Sequence, residues 1–366
     1  MLWWRCPSAY VHDGQTGQWW RVGSKAAPLP PIVDQPDRAS PGFTLNSPDG
    51  LSADDRCRFV QAAVRAVEFV HAGDVFQVNL SHTLRGHFRG SSRELFADLM
   101  AQARPWYGAY VEDVPRPEAR AALVSMSPEL FIDHDAHTRR VVTRPIKGTR
   151  SADLPDHALG ASEKDAAELA MIVDLMRNDL GRVCEFGSIR VVQARAFERH
   201  ARASIGPGSG GVLHGVATIE GRLRDSLEVA DLLRATFPAG SITGAPKVRA
   251  MQIIDQLESP AHPRGPYTGS IGYVSDGGHA CFNVAIRTVL VAGRPSENHD
   301  RIDTIKQGRW TYSAGAGIVA DSDPSDEWDE TLTKSEIILN LESRTPSTNA
   351  HSGDRPAATK FAPVHP

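Results

Sequence analysis

The sequence predicts an α+β fold of largely antiparallel sheets with helices packed outside them. Three observations point there. Strand-like runs of period two alternate with helical runs of period 3.6. Neighbouring strand-like runs are often separated by turns rather than by helices, which favours antiparallel pairing. No internal repeat is present, so a solenoid or propeller is not indicated.

Taken in order, residues 1–50 read as an N-terminal remnant and an irregular linker, since residues 24–50 carry six prolines. Over residues 52–71 the apolar positions Phe59, Val60, Ala63, Val64, Val67 and Val70 recur at helical spacing, and Gly73 follows as a stop. Residues 75–84 set Val75, Gln77, Asn79 and Ser81 on one face against Phe76, Val78, Leu80 and His82, as a strand does. Further strand-like runs cover residues 121–126, 130–133, 141–143, 188–193, 267–274, 281–291 and 309–314. Helices read over residues 94–103, 162–180, 227–235, 246–257 and 326–341. The run Gly-Pro-Gly-Ser-Gly-Gly at 206–211 has the composition of a phosphate loop, but no strand leads into it, and it reads as a flexible insertion. Residues 51–342 form the catalytic domain of this reading, and residues 343–366, poor in bulky apolar side chains, read as a disordered tail.

The bulk properties exclude several classes. With 366 residues, 41% hydrophobic and 23% charged, the chain has the composition of a globular protein with a large core. A net charge of -4 offers no basic field for nucleic acid. No long apolar run suggests a signal peptide or a membrane span. Cys6, Cys57, Cys184 and Cys281 lack disulfide-like or zinc-like spacing and read as packing thiols in a reducing, cytoplasmic setting.

Chemistry concentrates in a few places. Residues 145–149, Pro-Ile-Lys-Gly-Thr, put Lys147 between an apolar residue and a glycine after a strand-like run. If buried and neutral, that lysine is a nucleophile; lowering its pKa by about three units takes roughly 4 kcal/mol of desolvation and like-charge repulsion. Asp165 and Glu168 share a helix face near its N-terminus, and Glu168 interrupts the apolar series Ala166, Leu169, Ile172, Val173. Asp165 also suits a capping role with Ser162. Glu327 and Glu330 repeat the spacing on a later helix, after an expected loop Ala314, Gly315, Ala316, Gly317 whose N–H groups can face an anion. Oxygen-only ligands of this kind suit Mg²⁺ held with an anionic substrate. Arg287, expected within an apolar strand, and Tyr267, expected at the start of the preceding one, can grip a carboxylate. Residues 241–247, which include Thr243, fail as a nucleotide loop because Gly240 and Gly244 are too close and Val248 follows Lys247.

Six segments in this order, Ser127-Pro-Glu-Leu-Phe131, Pro145-Ile-Lys-Gly-Thr149, Ile172-Val-Asp-Leu-Met-Arg-Asn-Asp179, Gly244-Ala-Pro-Lys247, Ala314-Gly-Ala-Gly-Ile318 and Glu327-Trp-Asp-Glu330, resemble those of the chorismate-utilising enzymes. The resemblance covers roughly residues 52–342. It implies one α/β sandwich of two facing antiparallel sheets with a Mg²⁺-dependent chorismate site between them. It makes Glu168 and Glu330 the principal metal ligands, with Asp165 and Glu327 supporting. It assigns substrate contacts to Tyr267, Arg287, Thr243 and the Ala314, Gly315, Ala316, Gly317 run. Gly148 and Thr149 line the ring site, His214 stands beside the ring, and Glu129 protonates the departing C4 hydroxyl.

Two positions separate the branches of that family. Anthranilate synthases carry alanine where Lys147 stands, whereas a lysine there is similar to the large component of aminodeoxychorismate synthase. In the water-using branch a lysine occupies the position of Gln77, so glutamine argues for ammonia. The implied mechanism is addition of neutral Lys147 at C2 with loss of the C4 hydroxyl, then attack of ammonia at C4, giving the folate precursor 4-amino-4-deoxychorismate. No Gly-x-Cys-x-Gly nucleophile elbow occurs, so a separate glutamine amidotransferase subunit is the expected partner. The rivals are anthranilate synthase and a truncated, non-catalytic chorismate-binding subunit, since family members usually have about a further hundred residues ahead of Tyr10.

Overall fold

The computed structural model describes residues 2, 4–12, 16, 18–23, 42–46, 48–112, 120–151, 163–200, 212–258, 263–295 and 304–341. The readings made for residues 24–41, 206–211 and 343–366, and for Ser162, lie outside that set. The chain divides into a unit of residues 1–40 and 346–366 and a unit of residues 41–345. In the first, β1 (Ser8–His12) pairs antiparallel with β2 (Trp19–Gly23), and His12 stacks on Trp19.

The second unit holds two seven-stranded sheets. One has the order β10 (Arg190–His200), β11 (Val212–Arg222), β8 (Arg140–Arg144), β7 (Leu130–His134), β14 (Ala280–Asn283), β13 (Gly272–Val274), with β9 (Ile146–Ser151) pairing β11 as well. The other has the order β12 (Gly244–Ala245), β4 (Gln77–Ser91), β16 (Thr304–Ile318), β15 (Thr288–Pro295), β6 (Arg120–Ser125), β5 (Ala109–Glu112), with β3 (Phe43–Leu45) on β4. Every pairing among these strands is antiparallel, as the turn-linked sequence pattern predicts.

The helices form where period and caps agree. Ser52 caps α1 (Ala53–His71) in a reciprocal box with Asp55, Ser91 caps α2 (Ser92–Ala103), and Asp323 caps α6 (Pro324–Leu339) with a proline in the first turn. On α3 (Glu163–Gly181), Leu169, Ile172, Val173 and Met176 pack against Val141, Ala217 and Ile219 of the first sheet, joined by Leu232 and Leu233 of α4 (Val229–Thr236). Each fully buried aliphatic side chain of this kind stabilises by roughly 1.5–3 kcal/mol. On the second sheet, Val78, Leu80, Ala316 and Ile318 pack with α1, α6 and α5 (Lys247–Leu257) through Phe59, Trp328, Ile253 and Ile254. Among the described residues no helix is long and apolar enough to cross a membrane. Cys184 is buried as a packing thiol, whereas Cys6 and Cys57 are exposed.

Three local expectations are corrected, and the segment of Lys147, read only as following a strand, is itself a strand. Lys147 lies within β9, because this segment pairs with β11 from Ile146 opposite Val216 to Ser151 opposite Val212. Ala314, Gly315, Ala316 and Gly317 form no loop; they lie in β16, opposite His82, Ser81, Leu80 and Asn79 of β4. The run at 281–291 is two strands, and Arg287 sits in the break between them with φ +50°. Tyr267 precedes β13 in a turn rather than opening a strand.

Candidate active site

A cavity opens between the sheets, walled by Asn79, Ala314 and Gly315 from one and Ile146, Lys147, Gly148 and His214 from the other. Lys147 reaches it from β9, where its backbone faces Gly215 of β11. The Lys147 Nζ lies 2.5 Å from Glu168 Oε2. Burial works to lower the Lys147 pKa, but Glu168, Glu330 and Glu327 together raise it above the ordinary lysine value. With these carboxylates unengaged, the charged ammonium form of Lys147 is the favoured one.

Glu168 is buried on α3, and Asp165 lies one turn earlier against Gly148, where an added Cβ would come within 3.1 Å of its carboxylate. With φ +75°, Gly148 also occupies backbone space that other residues rarely adopt. Glu327 is buried and accepts from the Ser322 hydroxyl at 2.6 Å, while Glu330 lines the cavity and pairs with Lys334 at 2.6 Å. Among the described residues no three acidic, histidine or cysteine side chains converge as a ready-made metal cluster. Three of these carboxylates instead act on the Lys147 ammonium. Their donor chemistry, carboxylate oxygen throughout, fits Mg²⁺.

Glu129, just before β7, is buried and lines the same cavity, and its Oε1 accepts from Ser241 Oγ at 2.5 Å. Burial pushes its pKa from 4.5 up to about 7, against the lowering effect of the Ser241 hydroxyl and of Lys147. A carboxyl poised there can donate a proton near neutrality. His214, fully buried on β11, lines the same cavity and stands opposite Thr149 of β9.

Tyr267 and Arg287 also line it. The Tyr267 pKa is pushed up to about 12 by burial, so the phenol stays a hydrogen-bond donor. Gly315 is required beside it, because a Cβ there would approach the Tyr267 hydroxyl to 2.7 Å. Gly317 does the same for the amine: its Cβ would meet Lys147 Nζ at 2.7 Å and Gln77 Nε2 at 2.9 Å. Gln77 is fully buried, and among the described residues neither end of its amide has a hydrogen-bond partner.

Of the predicted substrate groups, Gln77, Thr243, Ala316 and Gly317 are not among the described wall residues. Thr243 donates its hydroxyl to the Ala239 carbonyl at 3.0 Å, and Ala316 is buried in the core around Phe59 and Trp328. Conversely, sequence reasoning missed Lys334, Ser241 and Asn79 as wall residues. Lys334 was findable as the i+4 neighbour of Glu330. Ser241 was hidden because its segment was weighed only as a phosphate loop.

The model of the chorismate binding enzyme family matches residues 3–340. Aminodeoxychorismate synthase component 1 of Klebsiella aerogenes is 42% identical over 278 residues, covering 74% of this chain and 54% of that protein. Anthranilate synthase component 1 1 of Haloarcula marismortui is 40% identical over 280 residues, covering 75% and 51%. The chain thus spans about half the length of the curated relatives it matches. The crystal structure of anthranilate synthase component I from Streptococcus pneumoniae TIGR4 superposes with a TM-score of 0.68 at 27% identity, covering 90% of this chain and 71% of that one.

Proposed function

The chain belongs to the chorismate binding enzyme family, and from that premise we propose that it converts chorismate and ammonia to 4-amino-4-deoxychorismate, as an aminodeoxychorismate synthase component I. The observation that carries this reading is Lys147, an amine on the cavity wall facing the same space as the carboxyl of Glu129.

In the proposed sequence Lys147, once neutral, forms a bond to ring carbon C2 while the ring double bond shifts and the C4–O bond breaks. Glu129 gives its proton to the departing hydroxyl, which leaves as water. Ammonia then bonds to C4 and the Lys147 amine leaves C2. Tyr267 and Arg287 hold a substrate carboxylate, and His214, Gly148 and Thr149 line the ring site. The unpartnered amide of Gln77, beside the lysine, supplies a polar contact suited to ammonia.

Glu168 and Glu330 would hold Mg²⁺, with Asp165 and Glu327 in support. When bound, the ion supplies positive charge that engages these carboxylates and anchors the ring carboxylate of the substrate. With Glu168 and Glu330 so engaged, the influences that raise the Lys147 pKa weaken against burial, which favours the neutral form. A glutamine amidotransferase subunit would deliver the ammonia.

A second reading, anthranilate synthase, is favoured by the relatives, which fall on both sides at similar identity. The deciding experiment incubates the purified protein with Mg²⁺, chorismate and ammonium, then adds a lyase that converts aminodeoxychorismate to 4-aminobenzoate. Lyase-dependent 4-aminobenzoate, abolished by Lys147→Ala, is the expected result. Fluorescent anthranilate with pyruvate formed without the lyase would establish the second reading, and no chorismate consumption would leave a binding subunit.

A further inference from the structure

Arg264 stands just before Tyr267, and none of the chemistry above uses it. Its side chain is 16% exposed, and the guanidinium commits every N–H. Nε and Nη2 form a fork on Glu258 at 2.8 and 2.6 Å. Nη2 also donates to the Asn79 carbonyl at 2.6 Å, and Nη1 to the Ile242 carbonyl at 3.3 Å and the Thr268 hydroxyl at 3.5 Å. The cation lies 5.7 Å from the centre of the Tyr267 ring.

Asn79, Ile242 and Tyr267 are all wall residues of the cavity, and they come from three separate segments. One planar group therefore joins three parts of the wall. Glu258 extends the tie, since its Oε1 also accepts from the Ser81 N–H at 2.8 Å and the Ser81 hydroxyl at 3.0 Å. The turn it supports is under backbone strain: Thr268, β-branched, is held at φ +63°, a conformation that persists only where its surroundings enforce it. A lysine, with three donors at one point, cannot span these partners.

We propose that Arg264, anchored by Glu258, is a positioning residue that holds the Tyr267 hydroxyl and Asn79 on the substrate side of the cavity, and so sets affinity for the anionic substrate rather than the rate of bond making. This rests on the substrate-binding reading of Tyr267 given above.

The test compares wild type, Tyr267→Phe, Arg264→Lys and the double variant by KM and kcat with chorismate, Mg²⁺ and ammonium. Chorismate binding is also measured by titration calorimetry, so the comparison stands without turnover. Each single change is expected to raise KM and Kd about tenfold with kcat within about twofold. The double variant is expected to stay within about twofold of the worse single, because both changes remove one contact. Effects that multiply to about a hundredfold, or a fall in kcat at unchanged KM, overturn the proposal. Unchanged KM and Kd for Tyr267→Phe overturn instead the substrate-binding reading. Positioning is then decided by a crystal structure of Arg264→Lys, in which a Tyr267 ring within about 0.5 Å of its place overturns it and a displaced ring upholds it. If Arg264→Lys does not fold, Glu258→Gln, which keeps the guanidinium and removes its charged anchor, carries the same comparison.

Discussion

The Lys147 amine lies 2.5 Å from the Glu168 carboxylate, so the proposed nucleophile and a proposed metal ligand form one ion pair. Burial lowers the lysine pKa, and Glu168 is the largest of the influences that raise it. In metal-free protein, competitive acylation followed by mass spectrometry is expected to show Lys147 reacting as an amine with a pKa above the ordinary 10.5. Glu168→Gln should move that midpoint down. The same raised value means that the stability linked to the lysine proton is whole below 10.5 and is lost only as pH climbs through the folded value. An unshifted labelling midpoint in Glu168→Gln would refute this assignment of the charge.

Glu129 makes a second prediction, about pH. Its pKa of about 7 leaves it protonated on the acid side, so at fixed free ammonia kcat is expected to fall as pH rises through about 7. Removing the hydroxyl that lowers this value, with Ser241→Ala, should move the falling limb to higher pH. Stability follows the same proton. Between 4.5 and about 7 the folded state holds it and the unfolded state does not, so wild type loses stability as pH rises through that window. At about 1.4 kcal/mol per pKa unit, Glu129→Gln should be more stable than wild type by up to about 3 kcal/mol at pH 8, measured by denaturant titration. A variant of equal stability at pH 5 and pH 8 relative to wild type would count against a raised carboxyl.

The helices were legible from their apolar period, and the capping side chains seen in the structure agree with it. Ser52 with Asp55, and Asp323 before a proline, cap the two helices that pack side by side on β4 and β16. The acidic pairs were legible for the same reason, since i,i+3 spacing places Glu168 beside Asp165 once the helix is known. The strands that line the cavity were not. Proline ahead of β9 and a left-handed Gly148 within it are loop signals, and only pairing with β11 overrides them. Alanine and glycine at 314–317 likewise read as loop, yet β4 holds them in register, and two of the glycines are present because the Tyr267 hydroxyl and the Lys147 amine occupy the space of a Cβ. Such close approaches join residues distant in the chain, and no local pattern carries them.

That crowding at Gly317 is testable. Alanine there would place a Cβ 2.7 Å from Lys147 Nζ and 2.9 Å from Gln77 Nε2, both ends of flexible side chains that can shift without moving the backbone. Gly317→Ala is therefore expected to keep its thermal midpoint within a few degrees while losing about 100-fold in kcat, the penalty of a misplaced reacting group. Equal losses of stability and activity would mean that the backbone, not the lysine, had moved.

The last prediction concerns what holds α3 to α5. Lys247 Nζ donates to Asp179 Oδ2 at 2.5 Å and to the Thr236 carbonyl at 2.7 Å, joining the ends of α3 and α4 to the start of α5. Burial dominates both partners: it raises the Asp179 pKa and lowers that of Lys247, each against the attraction of the other. An ion pair in that condition gives little net stability, but it leaves a costly charge behind when halved. Asp179→Ala should destabilise by about 3–5 kcal/mol in denaturant titrations, whereas the apolar replacement Asp179→Leu with Lys247→Met should recover most of that loss. The double variant also separates fold from function. The segment between α4 and α5 carries Ser241 to Glu129, so a stable double variant with a shifted pH limb would show that the pair sets the Ser241 position, and an unshifted limb would confine its role to stability.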